Sequence, residues 1–201
     1  MAVDVLRDIR AFRVLVVHPQ DAEAEELIRQ LRRIGCQVTA QWPPPKEMPE
    51  SADLVFLDVT RVLSGQGRLA WAGGPDAPPV VAILDYENPT MLKAVADHGA
   101  RGFVSKPVRS FGLLTTMFMA HRAAEAERLL RKKLYKAEKR LDGVRKVAKA
   151  KAILIDTRRI SEEEAYRFIR ERAMARRTTI EDIAAAIIDA NEMLGVEQRV
   201  P

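Results

Sequence analysis

The sequence predicts a doubly wound α/β domain followed by a long coiled-coil helix and a small all-α bundle of three helices. Three observations lead there: apolar runs alternating with amphipathic stretches from Phe12 onward, a sustained 3.5-residue repeat within residues 111–152, and two capped amphipathic stretches near the C terminus. At 201 residues the chain suits two modest domains joined by an extended element. The expected divisions are 11–110 for the α/β domain, 111–145 for the coiled-coil helix and 146–195 for the bundle.

The strand candidates are Arg13–Val17, Gln37–Gln41, Leu54–Leu57, Val80–Leu84 and Gly102–Val104, each a short apolar or alternating run. Between the first two, Ala24, Leu27, Ile28 and Leu31 recur at helical spacing within Asp21–Ile34, and Gly35 supplies the stop. A second helix, Pro89–His98, ends at Gly99 in the same way. Five strands with intervening helices suggest the flavodoxin-like order 2-1-3-4-5, with ligand sites at the carboxyl ends of the strands.

From Phe111 the chain runs to Ala152 without proline. Leu113, Met117, Ala120 and Ala124 open a seam of alternating four- and three-residue gaps. After a slip at Ala123 it continues through Glu127, Leu130, Leu134, Ala137, Leu141, Val144, Ala148 and Lys151. Such a repeat argues for a coiled coil, hence a homodimer with Leu130, Leu134, Ala137, Leu141 and Val144 on its seam. The alternative is a helix that packs back on its own α/β domain. In the last third Ser161 and Glu164 form an S-x-x-E capping box ahead of Ala165, Phe168, Ile169, Arg172 and Ala173. Thr178 or Thr179 caps a final helix with Ile180, Ile183, Ala184, Ile187, Ile188 and Met193 or Leu194 as its stripe, ended by Gly195.

Composition narrows the functions available. No run approaches the roughly 18 to 20 apolar residues of a membrane span, and Met1–Arg10 alternates charged with apolar residues where a secretory leader would be apolar, so a cytoplasmic protein is expected. Cys36 is the single cysteine, and His18, His98 and His121 are scattered, which argues against a disulfide or metal site. No nucleophile–base pair or phosphate-cradling glycine loop is visible, so neither an enzyme nor a bound cofactor is expected. The net charge is +5, but residues 119–160 carry 14 Lys/Arg against 5 Asp/Glu. That concentration favours a polyanionic partner, or else marks a solvated helical face.

At the carboxyl ends of the strands the α/β half resembles a response-regulator receiver of the CheY-like type. Asp58 matches the phospho-accepting aspartate and Lys106-Pro107 the lysine–proline pair of that family. The carboxylates that hold Mg²⁺ in such receivers are replaced by His18-Pro19, and Asp85 stands where a hydroxyl residue belongs. This departure predicts a pseudo-receiver in which Asp58 and Lys106 are acceptor-like but unused, with Asp58 capping a strand end; the alternative is that Asp58 still accepts phosphate weakly. Within the proline-rich stretch Gln41–Pro49, Pro43 to Pro45 are expected to form a stiff extended loop of polyproline II type with Trp42 beside it, Trp42, Pro43, Pro44 and Pro45 serving either as a partner-docking surface or as simple loop packing.

The residues from Ala150 to Ile155, Ser161–Met174, Arg176-Arg177 and the Ile183-Ala184 helix together resemble the ANTAR domain. Ala152 stands where glycine is common in that domain and Ile155 where methionine is frequent. The segments Arg33–Val38, Gln41–Glu47 and Asp85–Pro89 are similar to the AmiR/NasT type of ANTAR antiterminators, so the likeness spans nearly the whole chain. It implies an antiterminator that binds paired stem-loops of leader mRNA and is held in check by a ligand-sensing partner of periplasmic-binding-protein-like fold. Lys149, Lys151, Arg158, Arg159, Arg170, Arg176 and Arg177 are the candidate RNA contacts, and Tyr166 either stacks on a base or packs partly in the core. The rivals are a DNA-binding two-component response regulator and a protein–protein adaptor. The acidic Glu181, Asp182 and Asp189 of the last helix argue against the first.

Overall fold

The computed structural model describes residues 11–65, 67–86 and 88–197, the side chains of residues 194–197 excepted. The expectations for Met1–Arg10 and for the Leu194 side chain lie outside the described residues. The chain divides into two compact units, Met1–Leu129 and Leu130–Pro201.

The first unit is ordered β1 (Arg13–Val17), α1 (Ala22–Ile34), β2 (Gln37–Gln41), β3 (Leu54–Asp58), α2 (Val59–Gly65), β4 (Val80–Leu84), α3 (Pro89–Asp97) and β5 (Ala100–Ser105), followed by the start of α4 (Leu113–Arg158). The strands form one parallel sheet in the order β2-β1-β3-β4-β5, as the sequence predicts. Strand alternation sends side chains to two apolar layers. Val14, Val16, Phe56 and Ile83 meet Leu27 and Leu31 of α1 and Leu113, Met117 and Ala120 of α4. Leu15, Val17, Val55, Leu57 and Ala82 meet Val62 of α2 and Met91 and Ala94 of α3. The helix α2 has no counterpart in the sequence-based assignment, because its seven residues are too few to set up a period. The strand β5 extends the expected Gly102–Val104 at both ends.

Three sequence expectations are corrected here. Leu113, Met117 and Ala120 open the predicted seam, yet they are buried in the core of their own sheet. A core-facing stripe and a coiled-coil seam have nearly the same period, so only tertiary packing separates them. The proline stretch bends at Trp42 and Pro43, whose shared peptide is cis, and does not form an uninterrupted polyproline II rod. Within it Pro44 is buried, and the Pro45 carbonyl accepts a hydrogen bond from Trp71 Nε1 at 2.9 Å, so two of the four proposed docking residues are tied into loop packing. Gly195 does not end the last helix, which runs on to Glu197.

Loop positions are set by two contacts. His98 is fully buried; its Nδ1–H donates to the Ala94 carbonyl at 2.8 Å and its Nε2 accepts from the Leu69 amide at 3.4 Å. Next to it, Gly99 and Gly73 meet backbone to backbone, so that a Cβ on Gly99 would lie 2.4 Å from Gly73 Cα.

The second unit packs the C-terminal part of α4 against α5 (Glu162–Arg176) and α6 (Ile180–Glu197). Its core is Ala150, Leu154, Ala165, Ile169, Ala173, Ile183, Ala184 and Ile188. The capping box is formed, with Ser161 Oγ accepting from the Glu164 amide at 3.2 Å and Glu164 Oε2 from the Ser161 amide at 2.9 Å. Thr179 caps α6 through the Asp182 amide at 3.1 Å. Met193, a candidate for the apolar stripe, is exposed instead.

Gly99→Ala combines a left-handed φ of 61° with a backbone clash and is expected to cost more than about 2 kcal/mol. Gly112→Ala, at φ 87° in open space, should cost only about 1–2 kcal/mol. Urea unfolding followed by circular dichroism checks the order; equal costs would mean that the close approach to Gly73 adds no strain.

Candidate functional site: a closed acceptor pocket and a cationic helical surface

The carboxyl ends of four strands bring together His18 after β1, Asp58 at the end of β3, Asp85 after β4 and Lys106 after β5. Asp58 is buried and each of its oxygens is taken by protein donors. Oδ2 receives His18 Nε2 at 3.0 Å and Lys106 Nζ at 2.7 Å, and Oδ1 receives the Arg61 amide at 2.9 Å, which also caps α2. Lys106 further meets Asp85 Oδ1 at 2.7 Å and Glu23 Oε2 at 3.5 Å.

The protonation of His18 follows from its partners. Its Nδ1 lies 2.8 Å from the Pro19 carbonyl and 3.5 Å from Asp21 Oδ1, while Nε2 faces the Asp58 carboxylate. Both nitrogens therefore face acceptors. A neutral ring can present an N–H from only one nitrogen, whereas the imidazolium presents one toward each acceptor, although Nε2 is not well aligned on the Asp58 carboxylate. Burial works against charge on His18, but the hydrogen bond to Asp58, the Pro19 carbonyl and the Asp58 charge outweigh it and raise its pKa. Burial likewise pushes Asp58 up; the hydrogen bonds from His18, Lys106 and the Arg61 amide, with the Lys106 charge, reverse this and bring it down to about 2.

In receivers this place holds a divalent cation, and the residues present here do not fit one. Lys106 Nζ and His18 Nε2 already converge on Asp58 Oδ2, and Pro19 offers no side-chain oxygen. The sequence identified the missing carboxylates; it did not identify His18 as the side chain that meets Asp58 in their place, which only the 3.0 Å contact reveals.

On the second unit the predicted RNA contacts separate by chemistry. Lys149 Nζ is bound to Glu192 Oε1 at 2.7 Å, and Lys151 is paired with Glu162. Arg158, Arg159, Arg170, Arg176 and Arg177 are exposed, with no ion-pair partner among the described residues. Tyr166 is 43% exposed. Sequence reasoning missed Arg172 as a candidate and treated Phe168 as core; Phe168 is half-buried, with the Arg158 guanidinium 4.4 Å and the Arg172 guanidinium 5.3 Å from its ring centroid. The i, i+4 spacing of Phe168 and Arg172 was the available signal.

Farther toward its N terminus in the same unit, α4 presents Leu130, Leu134, Leu141 and Val144 at 65%, 59%, 52% and 62% exposure, with Ala137 exposed between them. Glu127, expected on the same seam, belongs to the first unit, where it is paired with Arg101. Trp42 is 38% exposed and Pro43 is exposed. No helix among the described residues is long and apolar enough to cross a membrane.

These features define a class: a receiver-fold domain whose switch-point carboxylate is saturated by protein donors, carried with a cationic helical bundle. Comparison with known proteins makes the class specific. The family model "AmiR, N-terminal" matches residues 12–121, and that of the ANTAR domain matches residues 136–188. The aliphatic amidase regulator of Pseudomonas aeruginosa is 30% identical over 189 residues, covering 93% of this chain and 96% of that one. The transcriptional regulatory protein PdtaR of Mycobacterium tuberculosis is 23% identical over 183 residues, 88% of this chain and 89% of its own. Among solved structures, the response regulator StyR aligns over 90% of this chain and 100% of that one, with 14% identity and a TM-score of 0.46. The chain belongs to the AmiR family of ANTAR-domain proteins, and is thus a transcription regulator of the antitermination type.

Because the pKa of His18 is raised, its contribution to stability is complete below the ordinary value of 6.5 and is lost as pH climbs through the folded value. Asp58 acts oppositely: its contribution is complete above 3.8 and is lost as pH falls toward about 2. His18→Leu is expected to cost about 1.5–3 kcal/mol at pH 6 and to flatten the alkaline decline. Urea titrations from pH 6 to 9 measure both, and an unchanged slope would mean a neutral ring.

Proposed function

We propose that this chain is an RNA-binding antiterminator, acting in the cytoplasm as a homodimer on stem-loops of nascent leader mRNA. The observation that carries the reading is the set of exposed, unpaired guanidiniums on the ANTAR unit, Arg158, Arg159, Arg170, Arg176 and Arg177. Phosphate neutralisation favours such groups over lysines already bound to carboxylates. Tyr166, beside them in sequence and partly exposed, is the candidate stacking platform for an unpaired loop base. The exposed leucines of α4 supply the dimer seam, since a row of apolar side chains is stabilised by a partner helix. Two ANTAR units brought by one dimer suit two stem-loops, and their binding would keep the terminator hairpin from forming.

Control is assigned to a ligand-sensing negative regulator of periplasmic-binding-protein-like fold, with phosphotransfer excluded as the switch. The saturated Asp58 supports the second half of this reading, because a phosphoryl group would have to displace His18 and Lys106 together without a divalent cation. Trp42 and Pro43 are the part of the proline loop left available for such a partner.

Gel shifts with hairpin RNA from the leader of the chain's own operon, and with duplex DNA of the same sequence, test the central reading. RNA should bind and DNA should not. Arg176→Ala with Arg177→Ala should weaken binding at least about tenfold and lower the salt slope by about one for each phosphate left without its arginine; binding unchanged across salt would remove both residues from the interface. Leu134→Lys with Leu141→Lys should halve the mass measured by sedimentation. Incubation with Mg²⁺ and a small phosphodonor should leave the intact mass unchanged, and a stoichiometric adduct on Asp58 would overturn the assignment of control.

A further inference from the structure

The guanidiniums of the ANTAR unit are spread over its surface, but three of them share a concavity. Between the C-terminal part of α4, α5 and α6 lies a groove of about 510 Å³, within the range of about 300–1,000 Å³ usual for small-ligand sites. Its floor is apolar, formed by Ile153, Leu154, Ile183 and Ile187. Arg158, Arg172 and Arg176 line it as well, and no carboxylate does.

This placement is selective within the unit. Lys146, Lys149 and Lys151 each hold a carboxylate, of Asp142, Glu192 and Glu162 respectively. The three groove arginines have no ion-pair partner among the described residues, and two of them lie over the Phe168 ring. A guanidinium held against an aromatic ring keeps its N–H donors while its orientation is restricted, so less freedom is lost when it binds. The groove therefore offers three cationic donors, a half-buried aromatic ring and a dry floor. A fitting ligand is anionic and also carries a flat, weakly polar body.

We infer that this groove seats one unstacked nucleotide of the hairpin loop, its base against Phe168 and the adjoining guanidiniums and its phosphate on Arg176. The inference rests on the RNA-binding reading above and deepens it. Unpaired loop nucleotides are the RNA elements able to splay a base out, and aromatic rings and arginine planes are the surfaces on which such bases stack. A base-paired nucleotide cannot enter, which makes the groove a discriminator between loop and stem. Tyr166 takes no part in it, since it does not line the groove.

The test uses the full chain and leader hairpins carrying 2-aminopurine at one loop position at a time. Fluorescence at a single position should be quenched on binding. Arg172→Gln, a surface change, and Phe168→Leu should each abolish that quenching and weaken binding roughly tenfold, the size expected from losing one stacked base. A thermal midpoint for Arg172→Gln equal to that of the unaltered protein assigns the loss to the RNA interface and not to folding. If hairpins bind but no loop position responds, or the response survives both substitutions, the groove is not a nucleotide site while the RNA reading stands. If both variants bind RNA normally but sediment differently, the groove is an interface between copies and the inference is overturned. If the unaltered chain binds no hairpin, the RNA reading fails and takes this inference with it.

Discussion

One helix has to satisfy three different surroundings along its length, and the sequence of α4 is shaped by that constraint. Its first turns give Leu113, Met117 and Ala120 to the core beneath the sheet. Its last turns give Ala150 and Leu154 to the core of the ANTAR unit. Between them lies a stretch in which every residue from 128 to 142 is exposed, leucines included. Exposed leucines on a highly charged helix are unfavourable in a monomer, and a paired helix relieves them by burying apolar area. Helical continuity past Ala152, through to Arg158, is what lets the same element end as a core component of the second unit.

The acceptor pocket is filled by the protein's own donors. A receiver concentrates carboxylates there so that a cation is needed to stabilise them. This chain places an imidazole and an ammonium on the remaining aspartate, so the balancing charge is covalently part of the fold. Removing either partner would leave a buried carboxylate short of a donor, which is more costly than never having had the pair. Through these contacts Asp58 joins the ends of β1, β3 and β5 and caps α2.

In the ANTAR unit the balance runs the other way. Lys149 and Lys151 are answered by carboxylates of the facing helices and Lys146 by Asp142 of its own helix, whereas Arg158, Arg172 and Arg176 have no ion-pair partner among the described residues. The guanidinium is suited to that state because it is weakly hydrated, planar and able to rest on Phe168. The net charge of residues 119–160 thus overstates the positive charge available to a polyanion, since Lys146, Lys149 and Lys151 are already paired.

The sequence by itself determined the doubly wound sheet and its strand order, the two helix caps near the C terminus, and the loss of the Mg²⁺-binding carboxylates. These depend on local periodicity, cap chemistry and the identity of residues at strand ends, all of which are written in nearest neighbours. Family membership was legible for the same reason, through short motifs such as Ser161–Met174 and Lys106-Pro107. Tertiary structure alone decided which part of the α4 stripe is core and which stays exposed, because the two periods nearly coincide. It also decided that Pro44 turns inward, that His18 faces Asp58, and that Arg158, Arg172 and Arg176 share one groove. Each of those facts joins residues distant in sequence or places a side chain relative to another element, and a linear pattern holds no such distance.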